Sequence, residues 1–290
     1  MKILFSADYG MGIGDFLVKL YAICHLNKFI KDKYNCYTIF IIEEYQTNIL
    51  NQIINIDFFK EYFNEFYIQY NYDSIAHNIG NQNVNFDNQM YFKKYSAINT
   101  IDSNRRGYWE IYANIEDNLD IDYINFDYRD PSSRNSKPIP DYNLPIFRSD
   151  IVKKAEEFVQ NNLKNNFDCI FYRALGELDK NHISKFINNL KGLTDQTFFI
   201  TSNSQQAIKD IINNITINNN KVITYNNLNH QTIDGYGTAK SDESRILDLV
   251  TEMIIMSYAN KIHYGGNHSY ISLFNYYAHL VKQIPLIYYQ

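Results

Sequence analysis

The chain has 290 residues and is short of several things, and each shortage closes off a class of explanation. Cysteine occurs three times, as Cys24, Cys36 and Cys169, widely separated and each in or beside an apolar run. An odd, scattered set yields neither a disulfide framework nor a metal-ligand spacing, and it fits a reducing compartment. The seven histidines show no H-x-x-x-H or similar pattern, so no zinc site is expected. No stretch of about 18 apolar residues occurs, which leaves no candidate membrane-spanning helix. The opening Met1-Lys2-Ile3-Leu4-Phe5 is too short an apolar run for a signal peptide, and the expected location is cytoplasmic. Basic residues are outnumbered 27 to 32, for a net charge of −5. That speaks against a non-specific nucleic-acid binder, which carries a basic patch, but leaves room for a small anion held by local groups. Tryptophan occurs once, while 26 tyrosines and 19 phenylalanines accompany frequent Asn, Ile and Lys. This bias reads as AT-rich coding, so no individual tyrosine is singled out.

Proline is scarce too, and its placement is informative: four of the five lie in residues 129–145, mixed with serine and charge. Such a stretch is the best linker in the chain. It predicts a domain over 1–145, with 129–145 as its linker, and a second over 146–290. Hydrophobic content of 45% is enough to bury a sizeable core in each. Residues 2–6 and 36–42 read as buried strands, with a glycine-rich loop (Ala7 to Asp15) and an amphipathic helix (Phe16 to about Lys31) between them. The stretch from Thr47 to Phe66 reads as one or two helices. After the linker the alternation is clearer. A helix capped by Ser149 or Asp150 runs to about Lys164, and strands at 169–173, 197–201, 221–225, 261–265 and 285–289 alternate with helices. Alternating strands and helices predict an α/β fold: two Rossmann-like domains with parallel sheets facing a cleft.

In open α/β sheets ligands bind beyond the carboxyl ends of the strands, so the residues just after each strand are the candidates. Asp8, Gly12, Gly14 and Asp15 follow the first strand. Their G-x-G-x-G spacing departs from the dinucleotide fingerprint, and an oxidoreductase reading would rest on these glycines alone. Asp15, at the head of a helix, can serve as a cap or as a general base. Arg173 ends the strand at 169–173, and its planar fork suits a phosphate or diphosphate; its other reading is a salt bridge at the sheet edge. Ser202 and Asn203 follow the strand at 197–201. Gly265 and Gly266 read as a tight turn, followed by Asn267, His268, Ser269 and Tyr270 at the head of a helix running to Val281. Backbone N–H groups at such a head favour an anion.

The order Tyr172-Arg173-Ala174-Leu175-Gly176-Glu177, then Thr201-Ser202-Asn203, then Asp248 in a helix, then Asn267-His268-Ser269-Tyr270 opening another, resembles the donor domain of fucosyltransferase-like GT-B glycosyltransferases. The resemblance covers about residues 165–290. That family has a His-x-Arg-x-Gly-Asp strand end; this chain lacks the histidine, and His268 stands where the family has a serine. Separately, Gly14-Asp15-Phe16-Leu17 resembles the Gly-Asp-x-Leu opening of heptosyltransferase-type GT-B enzymes, in which the aspartate is the proposed base. Together the resemblances imply a GT-B-like hexosyltransferase. The donor, a nucleotide-diphosphate sugar such as GDP-fucose, would be held by the C-terminal domain through Arg173, Ser202, Asn203, Asp248, Gly266, Asn267, His268, Ser269 and Tyr270, with Gly12 and Gly14 of the N-terminal loop letting it approach the backbone closely. Asp15, or alternatively Asp8, would be the catalytic base, and the acceptor a glycan, lipid-linked or protein hydroxyl on the N-terminal side. The implied chemistry is inverting and metal-independent, with no cofactor beyond the co-substrate, because arginine and a helix N-terminus take the metal's place. A non-catalytic nucleotide- or sugar-binding relative of the same fold is the alternative.

Overall fold

The computed structural model describes residues 2–8, 13–43, 50–69, 123–127, 144–174, 178–225, 243–266, 273–275 and 277–289. The chain forms two compact units, the first of residues 1–11 and 15–146 and the second of residues 12–14 and 147–290. The linker expected at 129–145 lies almost wholly outside the described residues, as do Gly12, Asn267, His268, Ser269 and Tyr270. Among the described residues no helix is long and apolar enough to cross a membrane.

The first unit holds β1 (Lys2–Asp8), β2 (Tyr37–Glu43), β3 (Glu65–Gln69) and β4 (Tyr123–Asp127), all parallel, in the order β3-β2-β1-β4. Between β1 and β2 runs α1 (Ile13–Tyr34), which buries Ile13, Phe16, Leu17, Leu20, Tyr21 and Cys24, the three-and-four spacing of one helical face. It stops at Asn35, whose φ of 48° is a left-handed conformation that asparagine tolerates. Asn27 and Lys31 of α1 both donate to the carbonyl of Tyr62, at 3.0 and 3.1 Å. That carbonyl closes α3 (Ile56–Tyr62), which follows a single helical turn, α2 (Leu50–Ile53). A helix end leaves such carbonyls unsatisfied, and α1 supplies the donors.

The helical reading from Thr47 to Phe66 runs too far. The chain turns extended at Phe63, and Asn64 exchanges bonds with Thr38 of β2: Asn64 N–H to Thr38 O at 3.0 Å, Thr38 N–H to Asn64 Oδ1 at 2.9 Å. This bracket starts β3 beside β2, and Phe40, Phe59, Phe63 and Phe66 close over the junction.

The second unit holds β5 (Asp168–Arg173), β6 (Thr197–Ser202), β7 (Lys221–Ile223), β8 (Ile262–Gly266) and β9 (Leu286–Tyr288), again all parallel, in the order β7-β6-β5-β8-β9. The helices α5 (Lys180–Leu190) and α6 (Gln205–Ile215) share one apolar core with Ile170, Tyr172, Phe198 and Ile200. Against the alternate residues lie α4 (Ser149–Phe158) and α7 (Glu243–Met256), where Phe158 meets Phe199 and Glu252 meets Thr201. With both faces covered, β5 and β6 are buried nearly end to end, as parallel strands are. Ser149 and Asp150 do not cap α4. The capping position falls on Arg148, which offers no side-chain cap and instead pairs with Asp150. That pairing, through the hydrogen bond from Arg148 first of all, holds the Asp150 carboxyl below its ordinary range. A widened turn (Val159–Leu163) extends the helix to Lys164, whose φ of 55° ends it.

Two further expectations change. The glycines at 265 and 266 are not a turn: β8 runs through both, with Tyr172 opposite Gly265 and Arg173 opposite Gly266. A Cβ on Gly265 would lie 2.7 Å from Cγ of Phe186 and closer still to Cδ2, so the ring of α5 rests directly on the strand backbone. The helix expected up to Val281 is, among the described residues, two short turns, Leu273–Asn275 and Tyr277–Val281. At the amino end of the sheet His263 is buried within β8. Its Nε2 lies 3.1 Å from Oδ2 of Asp168 and its Nδ1 2.8 Å from the Tyr289 hydroxyl, while Lys261 reaches the same carboxylate at 3.4 Å. A buried imidazole between two partners ties the last strand to the first strand of its sheet.

Candidate functional site

The strand order reverses between β5 and β8: from β5 the chain steps outward to β6 and β7, then returns to β8 and β9. In this topology the crevice beyond the carboxyl ends of the two strands at the reversal is where ligands bind. The register puts Arg173 on one side of that crevice and Gly266 directly across from it. On the other flank of β5, Tyr172 pairs with Ser202. Four residues singled out from the sequence, Arg173, Ser202, Asn203 and Gly266, therefore meet at three adjacent strand ends. Arg173 is half-buried there, the remaining strand residues before it being fully buried.

The helix heads contribute at the same end. After β5 the chain enters α5, whose N-cap Asp179 accepts from the N–H groups of Asn181 and His182 at 2.8 and 3.2 Å. Its other oxygen lies 2.8 Å from Nδ1 of His182, and this bond, more than the two backbone ones, holds the Asp179 carboxyl below its usual range. After β6 the chain enters α6, capped by Ser204 Oγ, which accepts from Ala207 N–H at 3.2 Å. The Asp179 carboxylate already answers the α5 head and Ser204 the α6 head, so the group at this sheet edge suited to an anion is the Arg173 guanidinium.

The acid expected in a helix is placed differently from its neighbours. Asp248 lies in the second turn of α7 with Oδ1 3.7 Å from Nζ of Lys154 in α4. One turn further on, Glu252 is buried and accepts from Thr201 Oγ1 at 2.6 Å, beside Ser202. The sequence reading passed over Glu252, although a lone acid inside the apolar run Val250–Met256 is itself a signal of a bonded carboxylate. It also passed over Asp179 and His182, for which an Asp-x-x-His at a helix head was the available sign. Asp8 is the last residue of β1, while Gly14 and Asp15 lie in the first turn of α1. Among the described residues no three His, Cys, Asp or Glu side chains gather as a metal ion requires.

No protein-family profile matches the sequence, and no relative is found among curated proteins. Solved structures do match. NodZ α-1,6-fucosyltransferase from Bradyrhizobium, co-crystallized with GDP, superposes with a TM-score of 0.54 at 11% identity, over 100% of this chain and 96% of that one. FUT1 from Arabidopsis thaliana, in complex with GDP, gives a TM-score of 0.54 at 9% identity, over 99% of this chain and 69% of that one. The apo form of POFUT1 gives 0.51 at 12%, over 99% and 97%. The chain has the fold of these fucosyltransferases.

Proposed function

We propose that the protein is a glycosyltransferase that moves a sugar from a GDP-linked donor, of the GDP-fucose type, to a hydroxyl acceptor on a glycan, lipid-linked or protein substrate. The observation that carries the reading is Arg173 at the reversal of the C-terminal sheet, opposite Gly266, in a fold whose solved neighbours NodZ and FUT1 carry GDP. In such a transfer the sugar leaves a nucleoside diphosphate, and the charge that develops on the leaving oxygen is what the protein must stabilise. Fixed cations and N–H donors do this without reorganising during the reaction. Arg173 is assigned that task, with the segment Asn267-His268-Ser269-Tyr270 as its N–H and hydroxyl partner and no metal ion needed. Asp15, with Asp8 as the alternative, takes the proton from the acceptor hydroxyl as its oxygen attacks the anomeric carbon opposite the leaving diphosphate, inverting that centre.

The test is Arg173→Ala. Calorimetric titration with GDP should show binding to the wild-type chain and a loss of about 30-fold in the variant, the scale of a charge-assisted hydrogen-bonded contact. Turnover with GDP-fucose and a glycan acceptor should fall by about 100-fold or more. Full GDP affinity and turnover in Arg173→Ala, with only a lower melting temperature, would show the arginine to be a sheet-edge salt bridge and remove the proposal. Tight GDP binding with no transfer to any acceptor would instead describe a binding protein on this fold, the reading that the missing family histidine before Arg173 keeps open.

A further inference from the structure

Ser202 and Asn203 are bonded into the exit of the neighbouring strand. Ser202 Oγ donates to the carbonyl of Tyr172 at 2.6 Å and accepts from the N–H of Ser204 at 3.1 Å. Asn203 Nδ2 donates to the carbonyl of Ala174 at 2.6 Å, and its Oδ1 accepts from the N–H of Ala174 at 2.9 Å. The backbone on both sides of Arg173 is thus held from β6. The regular ladder between the two strands ends at Tyr172 and Ser202. Beyond it an asparagine side chain, carrying one donor and one acceptor in the spacing of a peptide, supplies one more rung. Without that rung the chain after Arg173 loses the two hydrogen bonds that the Ala174 peptide groups make among the described residues, although Ala174 is buried. Buried backbone groups do not stay unpaired, so the segment would rearrange and carry Arg173 with it.

Taking the proposed function as premise, we infer that Asn203 is a positioning residue. It acts on the anion at the β5–β8 crevice through Arg173, by fixing the Ala174 peptide, and not by touching the ligand. A displacement on the order of 1 Å of a binding group is enough to lose much of its effect, which is why a supporting bond one residue away matters.

A double-mutant cycle on the full chain decides this, with GDP affinity measured calorimetrically for the wild type, Arg173→Ala, Asn203→Ala and the double variant. Asn203→Ala should weaken GDP by about tenfold in the wild-type background and by nothing further once Arg173 is gone, because residues that act through one another are not additive. Amide hydrogen exchange at Ala174 should accelerate in Asn203→Ala whether or not nucleotide is present. If the alanine variant does not fold, Asn203→Ser, whose side chain is too short to span both Ala174 groups, replaces it. Wild-type affinity in the Asn203 variant, or an added loss in the Arg173→Ala background, overturns the assignment while leaving the proposed function intact. No GDP binding by the wild-type chain overturns both.

Discussion

Tyr172 shows how one atom can work against its own surroundings. Its ring is fully buried against Phe186 at 5.4 Å, yet its hydroxyl is buried with no partner among the described residues. Burial, and secondarily the charge of Asp179, pushes the phenol up to about 12. Removing an unsatisfied buried hydroxyl while keeping the ring is close to neutral or favourable, so Tyr172→Phe should unfold at the same or higher urea concentration, by up to about 1 kcal/mol. A clear destabilisation would mean that the hydroxyl has a partner. The same shift fixes a pH dependence. The folded phenol holds its proton to a higher pH than the unfolded one, so between its ordinary 10.0 and about 12 the unfolded chain binds fewer protons and stability falls as pH rises. Below pH 10 this contribution is complete. Tyr277, also pushed up to about 12 by burial, adds to the effect. Thermal midpoints should therefore drop above pH 10, and less steeply in Tyr172→Phe.

Among the elements, β8 departs most from its sequence. A Gly-Gly pair after a short apolar run reads as a turn, because glycine is the residue that turns require. In the folded unit Gly265 is instead the place where a phenylalanine lies on a strand, a packing reason that no local pattern carries. Gly265→Ala should destabilise by about 1–3 kcal/mol, the cost of overpacking a core, and Phe186→Leu in the same chain should recover part of it. Chemical denaturation of the wild type and these two variants measures this; an unchanged midpoint for Gly265→Ala would show that Phe186 moves aside freely. β3 was hidden for a related reason. Its residues continue an aromatic and acidic run that suits a helix, and the chain turns extended at Phe63 where Asn64 is bracketed to Thr38 of β2. Runs such as Ile39–Ile42 and the three-four spacing along α1 were legible because burial alone sets them. Arg173, Ser202 and Asn203 were legible as strand-end residues, since topology gathers strand ends. The bonds that tie Ser202 and Asn203 to β5 depend on side-chain directions across two strands and left no mark in the spacing.

At the scale of the molecule, the two units share a topology, with the first strand central and the next two stepping outward on one side of it. A chain of two such units need not unfold in a single step. If the nucleotide is held at the β5–β8 crevice, calorimetry with GDP at about 100 times its dissociation constant should stabilise the unit beginning at Phe147 by about 2.7 kcal/mol, by mass action. The transition of the other unit should move less. A GDP-induced shift confined to the unit ending at Ile146 would place the nucleotide elsewhere. The interleaved order of the C-terminal sheet also bears on how the protein is made. Asp168 and His263, bonded neighbours in the finished sheet, stand 95 residues apart in the chain. While β5, β6 and β7 can pair as they leave the ribosome, one edge of β5 must wait for β8. Contacts so distant in sequence form slowly. The crevice that Arg173 and Gly266 flank comes into being only once β8 has been made, so a nascent chain that has reached only β7 has no β5–β8 crevice to offer.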